Sequence, residues 1–282
     1  MNYLEALNYG NSILKISNIK SHEIDSELLL SKVLEMPREQ ILINLKKKID
    51  GKKLNLFKNL LLKRKKNEPI AYIFKKKNFW KYTFKVSKDV LIPRPETEQI
   101  IEEVLKITEF NSSKNFLDVG TGSGCIILSI LKERPNCYAT AIDISKKSLE
   151  IAKINAKMHH LKNKIKFINI DVDKFNLNKY DLIVSNPPYI KVSDLKRLDC
   201  DVRKYEPLLA LKAGKDGLSG IRKLIFKSKI LLKKNGKLIF EIGNGQKYKV
   251  IKLLKNNGFY INKICKDLQS HPRVIISTKF FI

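Results

Sequence analysis

The sequence predicts an α/β protein with a doubly wound, seven-stranded sheet and a small N-terminal helical domain. Three observations carry that expectation. From about residue 115 onward, short runs rich in Val, Ile and Leu alternate with helix-patterned stretches of roughly ten residues, as in a mostly parallel sheet covered on both faces. The first run passes directly into Gly120-Thr121-Gly122-Ser123-Gly124, a glycine turn between strand and helix. The first 75 residues show helical spacing instead.

The elements follow in order. Leu4, Leu7, Ile13 and Leu14, then Ile24, Leu28, Leu29, Leu30, Val33 and Leu34, recur at helical intervals. Pro37 opens a further turn backed by Ile41, Leu42 and Leu45, and Leu54, Phe57, Leu60, Leu61 and Leu62 make another stripe before the basic run Lys63 to Lys66. This reads as a bundle of four or five helices, ended at Glu68-Pro69 because the residue before proline is biased out of the α region. Residues 70–92 read as a connector, with Phe79, Trp80, Tyr82, Phe84 and Val86 forming an aromatic hairpin. A rigid turn, Ile92 to Glu98, leads into a helix over 100–107. Strands are then expected at 115–119, 138–142, 165–170, 180–185, 237–242, 260–265 and 273–280. Helices are expected at 125–132, 146–158, 220–232 and 246–256. The domain ranges are therefore 1–75, 76–95 and 96–282.

Length and composition agree with a sizeable core. The 282 residues are 43% hydrophobic and 30% charged, and no apolar run approaches the ~18 residues that a membrane span needs. A cytoplasmic protein is the expectation. Cys125, Cys137, Cys200 and Cys265 are scattered without a C-x-x-C pair, and the adjacent His159 and His160 diverge on a helix, so no metal site is indicated. The net charge of +28 has two readings. It suits a polyanionic partner. Yet only 8 of the 56 basic residues are Arg, a lysine-rich mixture that coding bias also produces. Direct nucleic acid binding is thus allowed but not required.

The chemistry rests on three main elements at strand ends. In the first, Asp118-Val119 precedes the glycine loop, whose G-x-G-x-G spacing excludes a Walker loop and lacks the third glycine of a dinucleotide fingerprint. It resembles an S-adenosylmethionine loop, with Gly120, Thr121, Gly122, Ser123 and Gly124 as candidate contacts. In the second, Asp143 ends the next strand, 19 residues beyond Gly124. A doubly wound sheet puts that carboxylate beside the loop, where it can accept hydrogen bonds from both ribose hydroxyls. Asp171 ends the third strand and has two readings, a contact to the adenine amino group or a structural role.

In the third, Asn186-Pro187-Pro188-Tyr189 follows the fourth strand. An amide or aromatic amine is a poor nucleophile because its lone pair is delocalised. Two acceptors, the Asn186 side-chain oxygen and the Pro187 carbonyl, can take both N–H groups and turn the nitrogen toward a methyl donor. Proline at 187 and 188 fixes the backbone, and Tyr189 can stack on a flat group. Together the three strand ends imply an S-adenosylmethionine-dependent transfer to a planar nitrogen, with adenine, guanine and glutamine all open. That makes the sheet a Rossmann-like methyltransferase sheet.

Further segments carry a resemblance. Glu68 to Ile73, Leu91 to Glu98, Val184 to Ile190, Asp201 to Pro207, Asp216-Gly217 and Phe240 to Gly243 are similar to hallmarks of the peptide chain release factor glutamine methyltransferase family. The resemblance spans nearly the whole chain and is weakest in the helical domain. It implies N5-methylation of the glutamine in the Gly-Gly-Gln loop of release factors 1 and 2. It also implies cofactor contacts from Gly120 to Gly124, Asp143 and Asn186, with the glutamine held by Asn186 to Tyr189. The helical domain is expected to help dock the release factor. The related alternatives are the glutamine methyltransferase of ribosomal protein L3, from which Arg94 to Glu98 departs, and an rRNA or DNA base N-methyltransferase.

Overall fold

In the computed structural model, residues 1–280 are described; residues 281 and 282, the end of the expected 96–282 range, lie outside the described residues. The chain divides into two compact units, residues 1–75 with 199–205, and residues 76–198 with 206–282.

The first unit contains α1 (Tyr3–Ile16), α2 (His22–Leu34), α3 (Arg38–Ile43), α4 (Gly51–Lys65) and α5 (Ile70–Phe74). Asn2 and Glu5 form a capping box that satisfies two donors at the start of α1, and Asp50 caps α4 through the N–H groups of Lys52 and Lys53. The apolar stripes meet in one core around Leu14, Leu29, Leu30, Ile41, Phe57 and Leu61. Within it, Arg64 donates to Asp25 at 2.6 Å, both side chains under 10% exposed, so each buried charge has its partner.

The expected break at Glu68-Pro69 is only half realised. Asn67 leaves the helix with φ +67°, but the chain re-enters helix at once as α5 with Pro69 in the cap position. Proline costs nothing there, because the first turn has no intrahelical use for its missing N–H. Residues 199–205, expected within the 96–282 range, pack with this unit: the Tyr205 hydroxyl donates to the Lys66 carbonyl at 2.9 Å.

The second unit opens with the hairpin β1 (Lys76–Phe79) and β2 (Tyr82–Lys85), followed by α6 (Glu98–Ile107), β3 (Asn115–Val119) and α7 (Cys125–Glu133). Next come β4 (Tyr138–Asp143), α8 (Lys146–Met158), β5 (Ile165–Asn169) and β6 (Tyr180–Ser185). The long excursion after β6 carries α9 (Cys200–Tyr205), which belongs to the first unit, and α10 (Leu208–Leu211). The chain closes with α11 (Ser219–Leu231), β7 (Leu232–Glu241), α12 (Lys247–Asn256), β8 (Phe259–Lys266) and β9 (Pro272–Lys279).

Among the described residues the large sheet has seven strands in the order β5-β4-β3-β6-β7-β9-β8. The first five pair in parallel, and β9 pairs antiparallel with both β7 and β8. The chain winds outward from β3 to β5 and returns to β6 on the other side of β3. The gap between the ends of β3 and β6 is therefore the switch point where doubly wound sheets bind ligands.

Alternation along the strands separates two cores. Phe116, Leu182, Val184, Ile239 and Ile276 face α6 and α7, while Leu117, Ile183, Leu238, Phe240 and Ile275 face α11 and α12. Both faces are covered, which is why the strands read as continuous apolar runs rather than alternating ones. Each fully buried side chain of this size contributes about 1.5–3 kcal/mol of transfer free energy.

Strand β7 begins at Leu232, five residues before the expected start, and α11 stops at Leu231. The added residues are Leu232, Lys233, Lys234, Asn235 and Gly236, with no alternating pattern. Leu232 pairs with Tyr180 and Lys237 with Leu182, so residues 233–236 bulge out at the register shift between those two pairs.

Candidate functional site

A cavity of about 460 Å³ opens at the switch point, within the size range of small-molecule sites. Its wall includes residues from the β3 loop, the β4 end, the β5 end and the β6 end. Of the expected residues, Gly120, Thr121, Gly122, Ser123, Asp143, Asp171, Asn186, Pro187 and Pro188 line it; Gly124 and Tyr189 do not.

The glycine loop is a tightly bonded turn. Gly120 and Thr121 both donate to the Ile142 carbonyl, Gly122 donates to Asp143 Oδ2 at 2.9 Å, and Gly124 donates to the Thr121 carbonyl. Those N–H groups are spent inside the protein. What glycine contributes is left-handed backbone and clearance: Gly122 has φ +56°, and the space beside its Cα is open for 4 Å. Gly124 plays a different part from the expected one. It caps α7 with φ +81°, and an added Cβ would meet Leu128 at 3.0 Å and Ala152 at 3.4 Å. It sets how closely α7 and α8 pack beneath the loop.

Asp118 lies under the loop and is fully buried. Thr121 donates to its Oδ2 at 2.6 Å, while Oδ1 has no hydrogen-bond partner. Burial, with Asp143 adding to it, pushes the carboxyl up to about 7 against the opposing Thr121 hydrogen bond. Between about pH 4 and 7 the folded chain thus holds a proton that the unfolded chain has lost, so this group's contribution to stability falls as pH rises through that window. The melting temperature of wild type minus that of Asp118→Asn is expected to be larger at pH 5.5 than at pH 8. Equal differences at the two pH values would refute the assignment.

Asp143 orients the loop as well as the cavity. Its Oδ2 accepts from Gly122 and its Oδ1 from Ser145 at 2.8 Å, while Ser145 itself caps α8 by accepting from Ser148. Burial raises its pKa, and those two backbone N–H groups work against the rise. Asp171, in the cavity wall, also caps a 3-10 turn by accepting from Asp173 at 3.1 Å, and its other oxygen faces Lys223 at 3.4 Å. Ile144, Ile170, Val172 and Leu224 supply an apolar wall beside these carboxylates.

The Asn186-Pro187-Pro188-Tyr189 segment leaves β6 and is fixed from several sides. Ile190 and Ala213 exchange hydrogen bonds with their neighbours across a short parallel bridge to Lys212. Gly220, in the first turn of α11, packs its Cα against the Pro188 ring and carbonyl; an added Cβ would sit 3.3 Å from them. Gln246, 7% exposed, donates to the Tyr189 carbonyl at 3.0 Å and the Gly217 carbonyl at 2.9 Å, and accepts from Gly243.

Two buried residues that the sequence reading did not single out complete the site. The Asn186 amide donates to Thr97 Oγ1 at 3.0 Å, and Thr97 donates to Glu241 at 2.5 Å. Thr97 and Glu241 are each 2% exposed. The Tyr189 hydroxyl also bonds Glu241, so the ring is tethered behind the cavity wall rather than in it. Arg94 lines the cavity with its guanidinium held by buried Glu206, which also accepts from the Ile92 N–H at 3.2 Å. The one sequence signal for this layer is a carboxylate at position 241 inside the apolar strand Leu238 to Ile242.

S-adenosylmethionine suits these residues on the structure's own terms. The open glycine loop admits a ligand's backbone, Asp143 has lone pairs left for a diol, and the apolar wall accepts a flat base. A glycine loop, a carboxylate at the next strand end and an Asn-Pro-Pro-Tyr turn around the switch point of this sheet define a Rossmann-like S-adenosylmethionine-dependent methyltransferase.

Comparison with known proteins narrows the class. The family described as PrmC N-terminal domain matches residues 5–74, and the methyltransferase small domain matches residues 97–198. A release factor glutamine methyltransferase of Clostridium acetobutylicum is 37% identical, covering 99% of this chain and 99% of that protein. A bifunctional methyltransferase of Rickettsia typhi is 39% identical over 96% of this chain, which spans only 56% of that longer protein. Among solved structures, a Pyrococcus furiosus methyltransferase superposes with a TM-score of 0.52 at 16% identity, covering 70% of this chain and 89% of that one; this likeness concerns the fold. The chain belongs to the release factor glutamine methyltransferase family. Among the described residues, no helix is long and apolar enough to cross a membrane.

Proposed function

We propose that the chain transfers a methyl group from S-adenosylmethionine to the side-chain amide nitrogen of a protein glutamine, in the Gly-Gly-Gln loop of peptide chain release factors 1 and 2. The observation that carries this reading is the orientation of Asn186. Its amide nitrogen is engaged by Thr97, so its oxygen is the atom left for the cavity that Asn186 lines. A primary amide offers two N–H donors, and Asn186 Oδ1 with the Pro187 carbonyl supplies two acceptors on a rigid turn.

The division of labour follows. Asp143 holds the ribose hydroxyls, Gly120 to Ser123 give the cofactor clearance, and Gly124 holds the loop on its helix. Asp171 is assigned to the adenine amino group through the lone pairs that its cap leaves over. Bound S-adenosylmethionine supplies an electrophilic methyl on a sulfonium. Asn186 and Pro187 draw on both N–H bonds, shift electron density onto the nitrogen and turn it out of conjugation. Pro188, packed on Gly220, keeps that turn from relaxing. Tyr189, anchored by Glu241, closes the segment from behind. Positioning of this kind supplies much of the rate for an activated methyl donor. Neither acceptor has to remove a proton outright, because an alkylated amide nitrogen surrenders its proton readily to solvent.

The helical unit is assigned to docking the release factor, and the reaction to the cytoplasm, where translation ends. One experiment separates this function from its relatives. Methyl-labelled cofactor is offered with release factor, ribosomal protein L3, rRNA and duplex DNA in parallel, and the labelled atom is mapped. Label on the Gly-Gly-Gln glutamine is the expected result; label only on the ribosomal protein or on a base would replace the proposal.

A further inference from the structure

We propose that Thr97 and Glu241 are positioning residues that lock the Asn186 amide with its oxygen toward the cavity, so that the site accepts an N–H-bearing nucleophile and rejects an acceptor-only group. The inference rests on the proposed function, since it assigns a purpose to the Asn186 oxygen.

Hydrogen-bond polarity sets the orientation. An asparagine amide has nearly the same shape either way round, so shape alone does not decide whether oxygen or nitrogen meets the substrate. A hydroxyl has one proton to give. Thr97 gives it to Glu241 at 2.5 Å, which leaves only lone pairs on Oγ1. The neighbour of that oxygen must be a donor, and Asn186 Nδ2 is there at 3.0 Å. An ionised carboxylate only accepts, so Glu241 imposes the direction on the whole chain of bonds. It imposes it twice, because the Tyr189 hydroxyl bonds the same carboxylate. With Thr97 and Glu241 each 2% exposed, water is poorly placed to substitute for either.

Reversal of the chain has a defined consequence. If Glu241 becomes a donor, Thr97 is free to give its proton to Asn186, and the amide then turns its N–H₂ to the cavity. Two facing N–H groups repel, and substrate glutamine loses an acceptor. The same logic bars a glutamate side chain: its carboxylate would meet the Asn186 oxygen lone pair to lone pair. Burial raises the Glu241 pKa, with Glu96 adding to it, while Thr97, Tyr189 and Arg273 oppose. Arg273 and Arg94 act on the Tyr189 hydroxyl as nearby positive charges. Protonation of the Glu241 oxygen that faces Thr97 makes it a donor and sets up the reversed state, so turnover falls as pH drops through its titration.

The test compares Thr97→Val, Thr97→Ser, Glu241→Gln and Asn186→Ala, each checked by thermal melting. Turnover is measured with full-length release factor and cofactor affinity by calorimetry. Thr97→Val keeps the shape and removes the hydroxyl; it is expected to lower kcat by about tenfold, short of the roughly 10²-fold that follows a full misplacement. Thr97→Ser restores the hydroxyl and the rate. Glu241→Gln is expected to lower kcat and to flatten the acid side of the pH profile, with cofactor affinity unchanged. If Glu241→Gln fails to fold, the two Thr97 variants decide. Wild-type turnover in Thr97→Val, or equal loss in Thr97→Val and Thr97→Ser, would overturn the inference. A fully active Asn186→Ala would instead remove the proposed role of Asn186 itself.

Discussion

Replacing Asn186 with alanine is expected to lower kcat by about 10²–10³-fold, the scale on which one preorganised hydrogen-bonding partner at a reacting group is felt. The reason lies in what the residue does and where it stands. Its oxygen is one of two acceptors on a turn that Pro187 and Pro188 stiffen, and its nitrogen is tied to Thr97. Alanine removes the acceptor and leaves the cavity otherwise intact, so the amide nitrogen is neither polarised nor turned. Cofactor binding should survive, because Asp143 and the glycine loop are untouched. Single-turnover kinetics with labelled cofactor, beside equilibrium binding of the cofactor, separates the two. Full turnover in a folded variant would show that the turn's backbone alone suffices.

Asp143→Ala is expected to raise the cofactor dissociation constant by about 10²-fold, with a smaller change in turnover at saturation. Hydrogen bonds to a charged group are worth about 1.5–3 kcal/mol each, and a ribose offers two. Part of the loss is indirect. Asp143 also accepts from Gly122 and Ser145, and without it both N–H groups lose their partner and the loop loosens. Asp143→Asn divides these contributions, since it keeps one acceptor oxygen and no charge, and an intermediate affinity is expected. Calorimetric titration reads the result. An unchanged dissociation constant for the alanine variant would count against the ribose assignment.

How much of this was legible in the sequence depends on distance along the chain. The sheet was legible because strands covered on both faces must be apolar throughout, as Phe116-Leu117 and Leu182-Ile183-Val184 are. The cofactor loop and the Asn-Pro-Pro-Tyr turn were legible because their chemistry is compressed into a few neighbouring residues. The relay behind Asn186 was not. Thr97 and Glu241 are 144 positions apart, and no local pattern announces a pairing of that length. The same holds for Gln246, which joins Tyr189, Gly217 and Gly243. The segments that carried the family resemblance, Leu91 to Glu98 and Phe240 to Gly243, turn out to contain the two ends of this relay. The start of β7 was missed for the opposite reason: Leu232 pairs with Tyr180, but residues 233–236 bulge out of register before pairing resumes at Lys237, and their side chains carry no strand pattern.

The pairing of β3 with β6 has one further consequence. Val119 stands opposite Ser185, whose hydroxyl donates to the Val119 carbonyl at 2.7 Å. The glycine loop and the Asn-Pro-Pro-Tyr turn therefore leave adjacent strands from the same rung of one ladder, about 4.8 Å apart. Under the proposed assignments, the spacing between cofactor and substrate starts from this strand spacing and not from either loop alone. The excursion between Ile190 and Ser219 braces the turn at Leu211, Ala213 and Gly217, while its remaining residues can vary without altering that ladder. A lineage can therefore change which partner is admitted and keep the distance over which the methyl group moves.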